Sequence, residues 1–433
     1  MNFVSRLFKS ATWKWFYVGL GIKRWLLLLV IGVLVLGLGV AYLVGSFVGE
    51  SLLADRLQDL TLLVVNHPLR GALLGIAGAV MAAGALYKLA ESVSAAVGEK
   101  SNLAEILYRQ RIRKQGPKIV AMGGGTGLST LLRGLKEQTD HLTAIVTVAD
   151  DGGSSGRLRR DLGVLPPGDF RQCIAALADS EPLMTSLFQY RFGEGSGLEG
   201  HSFGNLFIAA MAGVTGNFER ALLESSRVLA VRGQILPSTL QNVTLCAETR
   251  NAEPPDNRLE RVAGESAITH RGKPIERVYL EPEHVPAYPG VVRAILDADL
   301  IIAGPGSLYT SVLPNLLVED LRHALASSKA RKVYICNVAT QPGETDDFSV
   351  EDHFEALVQH VGKGIFSTVI ANNNFSFSLP EHSKSKAVRA RDDENPDFEM
   401  ILTDLVDESM PWRHDPHKLA KQIFKWYDAR KSP

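Results

Sequence analysis

Two neighbouring carboxylates, Asp150 and Asp151, follow an apolar run and have the chemistry to hold a divalent cation or to accept hydrogen bonds from hydroxyl groups. An earlier apolar run ends in Gly123-Gly124-Gly125-Thr126-Gly127. Glycines at such a place let backbone approach a phosphate, and the N-terminus of a following helix supplies free N–H groups. After Asp151 comes the loop 152–156 and then Arg157, Arg159 and Arg160, whose guanidinium groups can fork onto phosphate oxygens or form a solvated basic turn, with Asp161 as an ion-pair partner. His201 and Asn205, in the run His-Ser-Phe-Gly-Asn, can bind a ligand's polar edge or move a proton. The plainer alternative is a packed His201 beside a capping Ser202. Asp169 either caps the helix carrying Phe170, Ile174 and Leu177 or faces a ligand, with Arg171 in the exposed first turn.

These groups need a scaffold that gathers them. Ile119 to Met122 has strand composition, and Leu128, Leu131, Leu132 and Leu135 recur at helical spacing after the glycines. Strand, glycine turn and helix open a doubly wound sheet; a tight turn packing helix on strand is the plainer alternative. The dinucleotide fingerprint fails, because Leu128 or Thr130 stands where it needs glycine, and the P-loop fails because no lysine is there. A second junction of the same kind runs from Ala298–Ala303 into Gly304, Pro305, Gly306, Ser307, Leu308, Tyr309, Thr310 and Ser311, where Ser307 or Thr310 can cap the helix or bond a phosphate. Lys332–Val338 reads as a strand whose tip carries Asn337, Thr340 and Gln341. Ile365–Ala371 reads as the last strand, and Lys384–Asp397 as a surface loop. Gln234–Glu248 and Val262–Thr269 alternate like half-buried strands joined by the charged insert 249–261, a small antiparallel flap, while Arg277–Leu280 looks like a core strand. Near the end, Arg413 can reach a phosphate or pair with Asp415. The predicted class is α/β: a Rossmann-like, doubly wound, mainly parallel sheet with a small antiparallel insertion.

The front of the chain is different. Trp25–Gly49 holds 25 residues without a charge and Gly71–Tyr87 holds 17 more, lengths suited to a two-helix transmembrane hairpin. Gly71, Gly75, Gly78 and Gly84 suit close helix packing. Lysine and arginine crowd both outer flanks, from Arg6 to Arg24 and from Lys88 to Lys118, so both ends are expected on the cytoplasmic side of the plasma membrane. The expected plan is an anchor at 1–90, a linker at 91–116 and a cytoplasmic domain at 117–433. A net charge of -1 gives no basic field for nucleic acid. Three separated cysteines, Cys173, Cys246 and Cys336, form no zinc or disulfide pattern. The apolar face of 312–321 serves either the core or a homo-oligomer interface.

In this order, GGGTGLSTLLRGLK, TVADDGGSSGRLR, LPPGDFRQC, GHSFGNL, GPGSLYTSVLPNLLV and NVATQPGETDDFSVEDH resemble the bacterial gluconeogenesis factor family, from about Pro117 to the C-terminus. That family is similar in fold to 2-phospho-L-lactate transferase of deazaflavin cofactor biosynthesis. The resemblance implies a domain that binds a nucleotide sugar, UDP-N-acetylglucosamine or UDP-glucose, and serves cell shape and wall synthesis on gluconeogenic carbon sources. It implies that Arg413, within Arg-His-Asp, helps hold the nucleotide sugar. The transferase relatives use a divalent metal near an Asp-Asp pair at the place of Asp150-Asp151. The blocks GDFRQC and GHSFGNL match the gluconeogenesis factors rather than the transferase, and the hydrophobic hairpin is an addition that shorter members lack.

Three functions follow as expectations. In the first, a membrane-tethered sensor holds the diphosphate at Gly123–Gly127 and Gly304–Ser307, neutralises it with Arg157 and Arg413, and couples it to wall-synthesis enzymes. In the second, a transferase coordinates Mg²⁺ through Asp150 and Asp151 and uses His201 as base on an acceptor alcohol. The third, a nicotinamide oxidoreductase, is opposed by the failed fingerprint.

Overall fold

The computed structural model describes residues 22–48, 67–96, 111–179, 182–195, 197–250, 258–379, 384–391 and 397–430. The charges at Arg6, Lys9, Lys14, Arg56, Lys100 and Arg109, most of the connector 97–110, and most of the tip of the charged insert lie outside the described residues. The chain divides into two compact units, Met1–Arg111 and Ile112–Pro433.

In the first unit, helices Ile22–Val48 and His67–Ala96 pack against each other. Their segments Arg24–Val44 and Leu69–Glu91 are long and apolar enough to cross a hydrocarbon layer of about 30 Å. Glycines set the contact. A Cβ on Gly32 would lie 2.8 Å from Ala82 N, and Cβ atoms on Gly39 and Gly78 would collide with the backbone at Gly75 and Leu36. Larger residues there would force the helices apart. Leu34 and Val80 are 67% and 66% exposed on the outside of the pair, the reverse of a buried core helix.

The second unit runs β1 (Ile119–Gly123), β2 (Leu142–Val146), β3 (Gln234–Pro237), β4 (Thr244–Arg250), β5 (Leu259–Ala263), β6 (Ile275–Glu281), β7 (Leu300–Ala303), β8 (Arg331–Ile335), β9 (Thr368–Asn372) and β10 (Glu399–Thr403). Seven strands form one sheet in the order β10-β9-β8-β7-β1-β2-β3, with every pairing parallel. β1, β7 and β9 are buried along their whole length, as a parallel sheet covered on both faces requires. Helix Gly125–Leu135 buries Leu128, Leu131, Leu132 and Leu135 and packs against helices Gly168–Leu177 and Pro416–Asp428. The chain builds outward from β1 to β3, returns, and starts β7 on the other side of β1. The switch point lies between β1 and β7.

The second sheet, β5-β4-β6, is antiparallel. Its outer face carries ion pairs, Arg277–Glu248 at 2.7 Å, Arg250–Glu276 at 2.7 Å and Lys273–Glu260 at 3.1 Å, of the exposed kind that adds little stability. Its tie to the main domain is more specific. Val278 N donates to His360 Nε2 at 3.0 Å, and the Tyr309 hydroxyl reaches Ile275 O at 3.5 Å.

Several expectations change. Gln234–Pro237 joins the parallel sheet and not the flap. Val262–Thr269 splits into the end of β5 and helix Glu265–Arg271, because Gly264 at φ +104° turns the chain. Arg277–Leu280 lies in the small sheet. Ile365–Ala371 is followed by a further strand, β10, which pairs in parallel with β9. Part of the expected surface loop is packed, with Val388 buried and Ala387 bridged to Ala339.

Candidate functional site

The two glycine turns end neighbouring strands, β1 and β7, so they stand side by side at the switch point. Each is shaped for close approach. Gly125 has φ +59°, and a Cβ on Gly124 would lie 2.5 Å from Asp169 Oδ2. A Cβ on Gly127 would collide with Pro305 O of the facing turn. The second turn is clamped from the next strand: Gly306 N donates to Asn337 Oδ1 at 3.1 Å, and Asn337 Nδ2 donates to Gly306 O at 2.9 Å. Asn315 Nδ2 donates to Gly123 O at 3.0 Å and holds the end of β1.

Between the turns is a cavity of about 470 Å³. Of the residues singled out from sequence, Gly124, Gly125, Thr126, Gly127, Asp150, Asp169, Gly306, Ser307, Thr310, Asn337, Thr340, Gln341 and Arg413 line it. Pro305, Thr130, Thr147, Ser311, Ser385, Glu265, Trp412 and His414 also line it and were not picked out. Trp412 is 42% exposed and offers an aromatic face beside Arg413. His414 is buried, with Nε2 3.1 Å from Cys336 O, and burial lowers its pKa to about 4, so it is neutral.

The charged side chains lining the cavity are Asp150, Asp169, Glu265 and Arg413. Asp150 accepts from Gly152 N at 2.9 Å, and burial raises its pKa despite that bond and one from Ser155. Asp169 is pushed up to about 7, first by burial and then by Asp150, while the amide of Gly125 opposes the rise. Its carboxylate thus sits at the start of helix Gly125–Leu135 and not as the cap of its own helix, whose N-cap is Pro167. Glu265 is pushed up to about 8 by burial, then by Asp150 and Glu344. Glu344, just behind the lining, is pushed up to about 7 by burial, opposed by bonds from Thr310 and Thr269.

The expected Asp150-Asp151 pair is divided. Asp151 Oδ1 accepts from Ser266 N at 2.9 Å and caps helix Glu265–Arg271, and it does not line the cavity. The cavity neighbours of Asp150 are Asp169 and Glu265, from elements distant in sequence. Asp415 also caps, its Oδ1 accepting from His417 N and Lys418 N at 2.8 Å, and the carboxylate whose charge meets Arg413 is Asp407.

His201, Asn205 and Arg171 form a separate network through Ser154, and Arg157 lies near His201. Ser154 Oγ is 2.9 Å from His201 Nδ1 and accepts from Asn205 Nδ2 at 3.1 Å, and Arg171 Nε donates to Asn205 Oδ1 at 3.0 Å. Arg157 donates to Glu199 O at 2.6 Å. Burial, then Arg157, lowers the pKa of His201. None of these four, nor Gly123, Gly304 or Tyr309, lines the cavity. Gly304 shapes the turn at φ +78°, and Tyr309 is buried against β6.

Sequence reasoning passed over Glu265 because its segment reads as a strand. Trp412 had a visible signal, an aromatic next to a noted arginine. Glu344 had one too, as the acid of Gln341-Pro342-Gly343-Glu344.

Comparisons with known proteins show the family and the fold. Residues 119–419 match the family described as 2-phospho-L-lactate transferase CofD. A gluconeogenesis factor of Bacillus subtilis is 48% identical over 319 residues, 71% of this chain and 98% of that protein. A Nostoc protein of the same group is 44% identical over 438 residues, 96% of this chain and 92% of its own, so that alignment reaches into the first unit. A crystal structure of a UPF0052 family member from Bacillus halodurans superposes with a TM-score of 0.66 at 42% identity, covering 72% of this chain and 99% of that one.

Proposed function

The chain belongs to the gluconeogenesis factor family, and on that premise we propose that its cavity binds a nucleotide sugar, UDP-N-acetylglucosamine or UDP-glucose. One observation carries the reading: two glycine turns on adjacent strands face one cavity at the switch point. The amides of Thr126, Gly127 and Ser307 would cradle the diphosphate, with Arg413 as counter-charge. Trp412 would take the flat base, and the hydroxyl-accepting carboxylates Asp150 and Asp169 the sugar. The volume is in the range of ordinary ligand pockets. In the cell this binding would report a wall precursor to envelope enzymes and serve cell shape during gluconeogenic growth. The N-terminal helices would span the plasma membrane, with Lys23 and Arg24 on the cytoplasmic side of the first. Calorimetry on the full-length protein in detergent tests the binding. Heat saturating at micromolar to millimolar UDP-sugar supports it, and no heat at millimolar UDP-N-acetylglucosamine or UDP-glucose, with and without Mg²⁺, overturns it.

A second reading rests on charge. Three carboxylates and one arginine line a cavity offered to a pyrophosphate. Among the described residues no group of three or more His, Cys, Asp or Glu is placed to hold a metal. The set fits Mg²⁺ held by Asp150 and Asp169 and completed by the ligand's phosphate oxygens, not a protein cage. Such an ion would lower the charge on the diphosphate. In a transferase of the 2-phospho-L-lactate type, Glu265, the cavity carboxylate left free of the ion, would then take the proton of the acceptor hydroxyl. Incubation with a lactyl diphosphonucleoside donor and a deazaflavin alcohol decides: a phospholactyl diester of the alcohol together with released nucleoside monophosphate by mass spectrometry supports it, and unchanged reactants remove it.

A further inference from the structure

Glu344 is 3% exposed, and its Oε1 gathers three donors. Gln341 Nε2 lies at 2.8 Å, Thr310 Oγ1 at 3.0 Å and Thr269 Oγ1 at 3.1 Å. Gln341 and Thr310 line the cavity from the parallel sheet. Thr269 belongs to helix Glu265–Arg271 of the small sheet and lies one turn beyond Glu265, on the same face. The other acceptor within reach of Thr269 Oγ1 is Glu265 O, farther away at 3.3 Å and uncharged. Backbone contact reinforces the joint. A Cβ on Gly343, at φ +85°, would lie 2.6 Å from Thr269 O, so the loop carrying Glu344 rests directly on the helix.

We infer that Glu344 is a positioning residue, which locks two ligand-facing side chains of the parallel sheet to the helix that delivers Glu265 into the cavity. The inference rests on the nucleotide-sugar reading for its ligand but not for the joint itself. A ligand that orders Thr310 and Gln341 also orders helix Glu265–Arg271 through one shared oxygen. The antiparallel insertion then acts as the movable wall of the site, and the small sheet has a function beyond covering the core.

Hydrogen exchange on the full-length protein in detergent, read by mass spectrometry, tests this in two arms. Without ligand, Glu344→Ala is expected to speed exchange in 265–271 by about tenfold, as for a lost bond to a charged acceptor, and to leave 125–135 unchanged. Glu344→Gln keeps an acceptor oxygen and shifts 265–271 less, which separates the joint from general misfolding. With UDP-N-acetylglucosamine, the wild type is expected to be protected in both segments and Glu344→Ala in 125–135 alone. Unchanged exchange in 265–271 of ligand-free Glu344→Ala overturns the inference, as does protection of that helix that persists in the variant. Absence of protection anywhere in the wild type overturns the binding reading instead, and the ligand-free arm still decides the joint.

Discussion

Two polar regions of the second unit contrast. The cavity at the switch point brings together Asp150, Asp169 and Glu265 with few internal partners, and burial raises all three carboxyls. The network of Ser154, His201, Asn205 and Arg171 holds residue types at least as suited to catalysis, yet its groups bond one another. Residue type alone does not distinguish them. In the cavity, glycines remove the side chains that would fill the space, and the chain reversal between β1 and β7 leaves a crevice. In the network, Ser202 caps helix Phe203–Thr215 and Asn205 closes back onto Ser154, so the space is filled.

The contrast can be broken by substitution. The largest effect is expected from Gly127→Ala, whose Cβ meets Pro305 O. The turns must part, costing about 1–3 kcal/mol of stability by chemical denaturation and abolishing UDP-sugar binding by calorimetry. Arg413→Ala is expected to weaken binding by about tenfold to a hundredfold, the range for a lost charged hydrogen bond, with stability unchanged. Asn205→Ala is the converse: about 1–3 kcal/mol of stability lost as buried partners are left unsatisfied, with affinity unchanged. If Asn205→Ala removed binding while Arg413→Ala did not, the two regions would have to exchange roles.

The pH dependence sharpens the comparison with a smaller effect. Asp169 near 7 and Glu265 near 8 have folded values above the ordinary carboxyl value of about 4. The folded state therefore binds more protons between those limits. Their contribution is fully present below about 4 and is lost progressively as pH rises from there to the folded values of about 7 and 8. His414, held at about 4, acts oppositely: its contribution is present above about 6.5 and is lost as pH falls toward 4. Between pH 6.5 and 8 the carboxyls dominate. Thermal unfolding of the ligand-free protein is expected to show falling stability over that window and a shallower fall in Asp169→Asn; equal slopes would mean that Asp169 is not the group responsible.

Much of this architecture was legible in the residues. Apolar runs breaking into glycine located β1 and β7, and the charge-free stretches located the two N-terminal helices. What failed has physical reasons. Gln234–Pro237 alternates like a flap strand, yet its register with β2 is a tertiary fact. β10 is half exposed at the sheet edge and gives a weak apolar signal. Asp151 looked equivalent to Asp150 because they are adjacent, but successive residues point apart, and only the fold shows which one meets Asp169. Glu265 was hidden because Gly264 ends a strand that the pattern carries on.

The most direct test is a crystal structure of the protein with UDP-N-acetylglucosamine and Mg²⁺. The account predicts the pyrophosphate within hydrogen-bonding reach of the amides of Thr126, Gly127 and Ser307, with Arg413 against it. A nucleotide bound at Ser154 and His201, or anywhere away from the β1–β7 crevice, would contradict it.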